Sequence, residues 1–210
     1  MSKHPPSPSQ PPYVMQMNSR MGRSLLVYDT FISPDPRGLQ RPLTVGTSHL
    51  ESLDSQPLRE AQLAAIHNHF EIRRNTSLPD DRMCFVVGDF NFDDERNFVI
   101  DHRPQENLFL ERTFHDYYDV WRELKPHDKG KTFDTSSNAM IFPFHSLEIM
   151  RYDRIMFTRP RDLPPAAPVP RPVVPLNISM IGTEIIDEIR GNPVVLSDHF
   201  GLFAEFGLSS

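Results

Sequence analysis

Cys84 is the single cysteine in 210 residues, which excludes an internal disulfide, and its place inside an apolar run reads as core packing in a reducing compartment. No run of 18 apolar residues exists, so no helix is expected to span a bilayer and no membrane partner is expected. The opening "MSKHPPSPSQPPYV" lacks the apolar segment of a secretory signal, and the expectation is a soluble, intracellular protein. A G-x-S-x-G element and a G-x-x-x-x-G-K-[ST] loop are both missing, which argues against a serine hydrolase and a P-loop enzyme. Thiolate and zinc-ligand spacings are missing too. Excess positive charge is also lacking: the formal charge is −6, so any phosphate-binding surface has to be a local patch.

What is there suggests one domain with loose ends, because 38% apolar content comes with 21 prolines. Five of those prolines fall within residues 1–12, and residues 1–18 read as a disordered Pro-rich tail before a domain over 19–208. "SLLVYDTF" (24–31) and "LTVGTSHL" (43–50) are β-rich runs around the reversal "SPDPRG", and predict a hairpin. Leu63, Ile66 and Phe70 recur three and then four residues apart in 55–74, which predicts an amphipathic helix with Ser55 as its N-cap. "MCFVVG" (83–88) is apolar throughout and fits a strand covered on both faces. A short helix is expected at "YDVWRELK" and loop through most of 95–150. "RYDRIMFT" (151–158) alternates, which puts Asp153 on the face of Ile155 and Phe157. Seven prolines within 160–175 predict a stiff loop or polyproline spacer, with a ligand for a proline-reading domain as the lesser reading. Two strands, "PLNISMI" and "GLFAEFGL", close the chain.

Three apolar runs end in similar polar groups: "TSHLES" with His49 and Glu51, "GDFN" with Asp89 and Asn91, and "LSDH" with Asp198 and His199. Each alone is an ordinary turn or cap residue. Together, delivered beyond strand ends, they suggest one shared site. The chemistry these residue types share is phosphate-ester hydrolysis. Asn and His donate hydrogen bonds to phosphoryl oxygens, Asp orients or deprotonates water, and a further carboxylate holds Mg²⁺ through oxygen.

"TSHLES", "VVGDFNFDD", "DVW", "TFDT", "RYDRIMF" and "SDHFGL" occur in the order found in the endonuclease/exonuclease/phosphatase superfamily, and the set most resembles its tyrosyl-DNA phosphodiesterase 2 branch. The resemblance runs from about residue 19 to 207. It implies an α/β (α+β) fold, the C-terminal portion of a four-layer α/β/β/α sandwich of the DNase I-like type. It also implies a Mg²⁺-dependent phosphodiesterase (Mn²⁺ as the alternative cation) acting on DNA ends or protein–DNA adducts, in DNA repair and in the nucleus. By the same resemblance His49 and Asn91 would hold the scissile phosphate, and Asp89 would position or activate the attacking water. His199 would stabilise phosphoryl charge, oriented by Asp153. Asp198 would assist the metal, and Phe133 would stack on the bound DNA strand.

Two motifs that such proteins carry upstream of the "HLES" region are not in these residues: a strand ending in a Thr-Trp-Asn-like motif, and a Leu-Gln-Glu motif whose glutamate is the principal Mg²⁺ ligand. The chain is therefore expected to be the C-terminal half of such a domain, with apolar faces such as "FVVG" laid open. Glu51 is expected to cap the following helix rather than replace that ligand. Two alternatives stay open on this reading: a catalytically impaired fragment acting as a binding module, and an enzyme acting on RNA or a phospholipid.

Overall fold

Strands β1 (Tyr13–Gln16), β2 (Ser24–Ile32) and β3 (Arg41–His49) form an antiparallel ribbon, with β2 in the middle. The structure, a computed structural model, describes residues 11–32, 41–76, 82–95, 104–138, 140–141, 147–159 and 172–208. The β2–β3 pair is the hairpin that the sequence announces, with Leu25 opposite Ser48 and Ile32 opposite Arg41. β1 corrects the tail expected over 1–18. Tyr13 and Met15 alternate inward and pack with Met17 against the core, while the Tyr13 hydroxyl sits 2.8 Å from His69 Nε2 and accepts from Arg73. Residues 1–10 of that tail lie outside the described residues.

Helix α1 (Gln56–Thr76) starts directly after Ser55, whose carbonyl accepts from the N–H groups of Leu58 and Arg59. Leu63, Ile66 and Phe70 are fully buried against Leu25, Val27, Cys84 and Val86, each burial contributing about 1.5–3 kcal/mol. The Phe70 ring lies over Gly46 of β3, where an added Cβ would stand 2.5 Å from its Cζ. Strand β4 (Met83–Asp89) runs parallel to β3 and carries the chain to the loop of interest.

The stretch expected to be mostly loop contains more order than its sequence suggests. It holds α2 (Gln105–Thr113), β5 (Tyr117–Asp119), α3 (Val120–Leu124), and the short pair β6 (Phe133–Asp134) and β7 (Ile149–Met150). α3 is capped by Asp119, whose carboxylate accepts from Arg122 N–H. Strand β8 (Asp153–Thr158) completes a six-stranded mixed sheet in the order β1-β2-β3-β4-β8-β5. β9 (Val173–Ile181) and β12 (Gly201–Leu208) form a second sheet, and β10 (Asp187–Ile189) and β11 (Asn192–Val194) an extra hairpin between them. β9 starts at Val173, so the Pro-rich loop ends before the expected residue 175. Pro175 is tolerated in the ladder because it pairs with Phe206 at a register shift. Residues 160–171, with the expected proline-reading ligand, lie outside the described residues.

The mixed α+β architecture has α1 and α2 on one face of the large sheet and the β9–β12 pair with α3 on the other. The two layers correct the expectation of an open "FVVG". Val86 is fully buried on the α1 face, and on the other Phe85 stacks on Phe157 at 5.5 Å and meets Phe206 edge-on at 5.1 Å. Apolar side chains are exposed elsewhere, at Val14, Leu26 and Tyr28 on β1 and β2, and at Leu176, Ile181 and Phe203 on β9 and β12. No described helix is long and apolar enough to cross a membrane.

Candidate active site

Strand register builds the centre. His49 pairs with Asp89 across β3 and β4, and Asp89 pairs with Asp153 across β4 and β8, so three adjacent strands deliver three polar side chains in one row. Side chains level with one another across a sheet share a face, here the one that carries Ile155 and Phe157. Leu50 N–H donates to the Asp89 carbonyl, and Phe90 N–H to the Tyr152 carbonyl, at 2.8 Å each, clamping the end of β4 between its neighbours.

The loop after β4 alternates its loyalties. Phe90 and Phe92 are buried in the core, while Asp89 lines the cavity beside His49. Gly88 at φ +130° passes so close to the Ser48 carbonyl that no side chain fits there. Asn91 adopts φ +55°, a left-handed conformation that Asn tolerates, and its N–H donates to Asp89 Oδ1 at 2.8 Å. Its side-chain amide donates to the Leu50 carbonyl at 2.9 Å, so part of its hydrogen-bonding capacity fixes the loop.

Arginines anchor the loop from below. Arg154 donates to the Phe92 carbonyl (2.9 Å) and to Asp94 (2.7 Å), with its guanidinium 4.7 Å from the Phe92 ring centre. Arg151 bonds Asp94 at 2.6 and 3.0 Å and Asp119 at 2.6 and 3.1 Å, and its N–H donates to Asp93 at 2.7 Å. These guanidinium groups hold the Asp94 and Asp119 carboxyls below the usual carboxylate range, against the upward push of burial.

His199 enters from the segment before β12. Its Nδ1 lies 2.8 Å from Asp153 Oδ2, and its Nε2 faces Asp89 Oδ2 at 4.0 Å. A carboxylate can only accept, so Nδ1 carries the proton that joins it to Asp153. The 4.0 Å gap exceeds a hydrogen bond and leaves Nε2 available to a third group. Burial lowers the His199 pKa, but the hydrogen bond and charge of Asp153, with Asp89 and Asp198, outweigh it and the net shift is upward. Burial raises Asp89, and the neighbouring Asp153 charge adds to that.

His49 behaves oppositely. Its Nε2 is 3.2 Å from Asp89 Oδ2, yet burial, with Arg23 and His199 nearby, lowers its pKa. The hydrogen-bond partner of His49 Nε2 is the Ser52 hydroxyl, at 3.4 Å.

The remaining residues singled out by sequence sit around this row. Phe133 places its ring 4.9 Å from the His199 ring and 5.6 Å from Tyr152. Asp198 is exposed, accepts from the Ser197 hydroxyl at 3.1 Å, and is not part of the cluster of potential ligand atoms. Glu51 does not cap α1. It is fully buried and accepts from Ser19 Oγ (2.6 Å), Arg20 N–H (3.0 Å) and Gln62 Nε2 (3.2 Å), because the turn before β2 needs an acceptor there. Arg23 was not singled out. It lines an open cavity of about 400 Å³ with Leu26, Thr47, His49 and Asp89, and donates to Ser52 at 2.8 Å. Hairpin pairing of Leu25 with Ser48 is the signal that puts position 23 beside His49.

Asp89, Asp153 and His199 bring one donor atom each within 4.8 Å of one another. The donor chemistry fits a hard divalent cation on the carboxylates, since Asp89 is held up by burial and by the charge of Asp153 and a cation would relieve that repulsion.

No protein-family model matches this chain, and no curated protein matches its sequence. Its structure is similar to TDP2 of D. rerio solved with single-strand DNA product, with a TM-score of 0.67 and 24% identity, covering 95% of this chain and 68% of that one. It is similar to truncated Caenorhabditis elegans TDP2 (TM-score 0.64, 23% identity, 95% and 66% coverage). It is also similar to an endonuclease/exonuclease/phosphatase from Beutenbergia cavernae (0.61, 19%, 96% and 45%). The chain thus spans about two thirds of these TDP2 chains and less than half of the bacterial one. With the ordered "HLES", "GDFN", "RYDRI" and "SDH" motifs meeting at one sheet end, the fold is that of the endonuclease/exonuclease/phosphatase superfamily.

Proposed function

We propose that the chain is a phosphodiesterase that hydrolyses phosphodiester bonds at DNA ends, including 5′ ends blocked by tyrosine. The observation that carries this reading is His199, held by Asp153 at 2.8 Å with its Nε2 facing Asp89 across 4.0 Å. That gap is where a phosphoryl oxygen or the attacking water can meet both groups. Asp89, raised above an ordinary carboxylate, orients the water and takes its proton. His199, protonated over a wider pH range than usual, presents Nε2–H to the phosphoryl oxygen as negative charge develops. His49 and Asn91 bind the phosphate, and Arg23 adds a cation at the cavity wall. Phe133, half-buried beside His199, offers its ring to a base or to the blocking group.

Asp89 and Asp153, with Asp198 nearby, would hold Mg²⁺ or Mn²⁺, which when bound supplies charge stabilisation to the phosphoryl oxygens. The D. rerio TDP2 structure with single-strand DNA product supports a DNA strand as the ligand class, and DNA repair in the nucleus is the setting that goes with it. The test is turnover of a 5′-phosphotyrosyl oligonucleotide with Mg²⁺, next to a His199→Ala control. Turnover no higher than that of the control removes the hydrolase reading and leaves a binding module.

A further inference from the structure

Segment 132–138 sits behind the site and was singled out only for the ring of Phe133. Thr132 is fully buried. Its Oγ1 accepts from Tyr152 N–H at 3.2 Å and from Asp153 N–H at 3.0 Å, and its carbonyl accepts from Phe200 N–H at 2.8 Å. One residue therefore ties the backbone of Asp153 to that of the residue after His199. Asn138, also fully buried, spreads its Nδ2 over the carbonyls of Ser197 (2.9 Å) and Asp198 (3.0 Å), and its Oδ1 accepts from Met140 N–H. Between these two anchors the Phe133 ring leans on the His199 imidazole.

The His199 segment enters β12 from the exposed Leu196, Ser197 and Asp198, and its bonds and ring contacts include those of Thr132, Phe133, Asn138, Tyr152 and Asp153. We infer that Thr132 and Asn138 are positioning residues that set the distance of His199 from Asp153 and Asp89, so that imidazole placement is decided by the strand pair β6–β7 and its flanks. This inference rests on the proposed role of His199 for its kinetic consequence, but its geometric content does not. Each anchor removes freedom that the loop would otherwise lose on reaching the transition state, and misplacement by about 1 Å costs on the order of 100-fold in rate.

Thr132→Val keeps shape and removes the acceptor, leaving two buried N–H groups unpaired, whereas Thr132→Ser keeps it. In folded Thr132→Val protein the hydrogen-bonded, downfield His199 Nδ1 proton, assigned by its loss in Asp153→Ala, should broaden or vanish. With a turnover assay, kcat should fall roughly 10- to 100-fold with KM little changed. Thr132→Ser should restore both readouts. Asn138→Ala, which acts on the same segment through different bonds, should lose the proton signal in the same way and stands in if the valine variant fails to fold. A wild-type proton signal in a folded Thr132→Val or Asn138→Ala variant overturns the inference, as does a serine variant as impaired as the valine one. An inactive wild-type chain whose proton signal follows Thr132 refutes the hydrolase reading and leaves the positioning role standing.

Discussion

Asp94 is where the arginine scaffold under the GDFNFDD loop is most easily tested, by Asp94→Asn. Its carboxylate, 17% exposed, receives Arg151 at 2.6 Å and Arg154 at 2.7 Å, two guanidinium groups no more than 1% exposed. The amide that replaces it turns a charged acceptor into a group that cannot balance them. Removing one partner of a buried ion pair costs roughly 3–5 kcal/mol. Asp119 still holds Arg151 at 2.6 Å and Arg154 at 3.6 Å, so the low end, about 3 kcal/mol, is expected. For a chain of this size that lowers Tm by roughly 6–12 °C. Urea unfolding followed by Trp121, the sole tryptophan and 2% exposed, measures it. The sign with pH is set by the depressed Asp94 pKa. The carboxylate contributes fully above its ordinary value of 3.8, and that contribution declines as pH falls from there toward its much lower folded value, so the variant's deficit should begin to shrink by pH 3. A deficit under about 1 kcal/mol at pH 7, or one independent of pH, would refute the scaffold argument.

Glu51→Gln should destabilise by roughly 1–3 kcal/mol, because the turn at Ser19 and Arg20 loses a charged acceptor. Hydrogen bonds hold Glu51 below its ordinary 4.5 despite burial, so this deficit too fades as pH falls below that value, readable in the same urea series. Cys84, fully buried with its thiol pushed up to about 12, should resist a colourimetric thiol reagent in the native state and react at once in denaturant; labelling without unfolding would contradict the packing of β4. Arg23→Gln should raise KM for a phosphodiester substrate roughly tenfold with a smaller change in kcat; an unchanged KM would take Arg23 out of the binding surface.

Local pattern alone was enough for the β2–β3 hairpin, the buried face of α1 and the covered strand β4, since each announces itself by its own spacing of apolar residues. It was also enough to nominate His49, Asp89, Asn91, Asp198 and His199, because polar groups at the ends of apolar runs are conspicuous, whereas the role of Asp153 came from the family resemblance. The β10–β11 hairpin and β1 escaped it. Both are short, and β1 exists only because β2 offers it an edge. Glu51 looked like a helix cap because its neighbours in sequence begin a helix, whereas its carboxylate accepts from Ser19 and Arg20, about thirty positions earlier, and from Gln62 within the helix.

Sequence by itself determined which side chains could do chemistry here and which elements would carry most of them. Only the tertiary structure decided how they meet: strand register lines up His49, Asp89 and Asp153, and a distant segment brings His199 within 2.8 Å of Asp153. The reason is physical. Periodicity reports which face of an element is buried, a local property, while the distance between two charges depends on pairing and on buried anchors such as Thr132, Asn138 and Arg151, whose bonds here span between 20 and 68 residues.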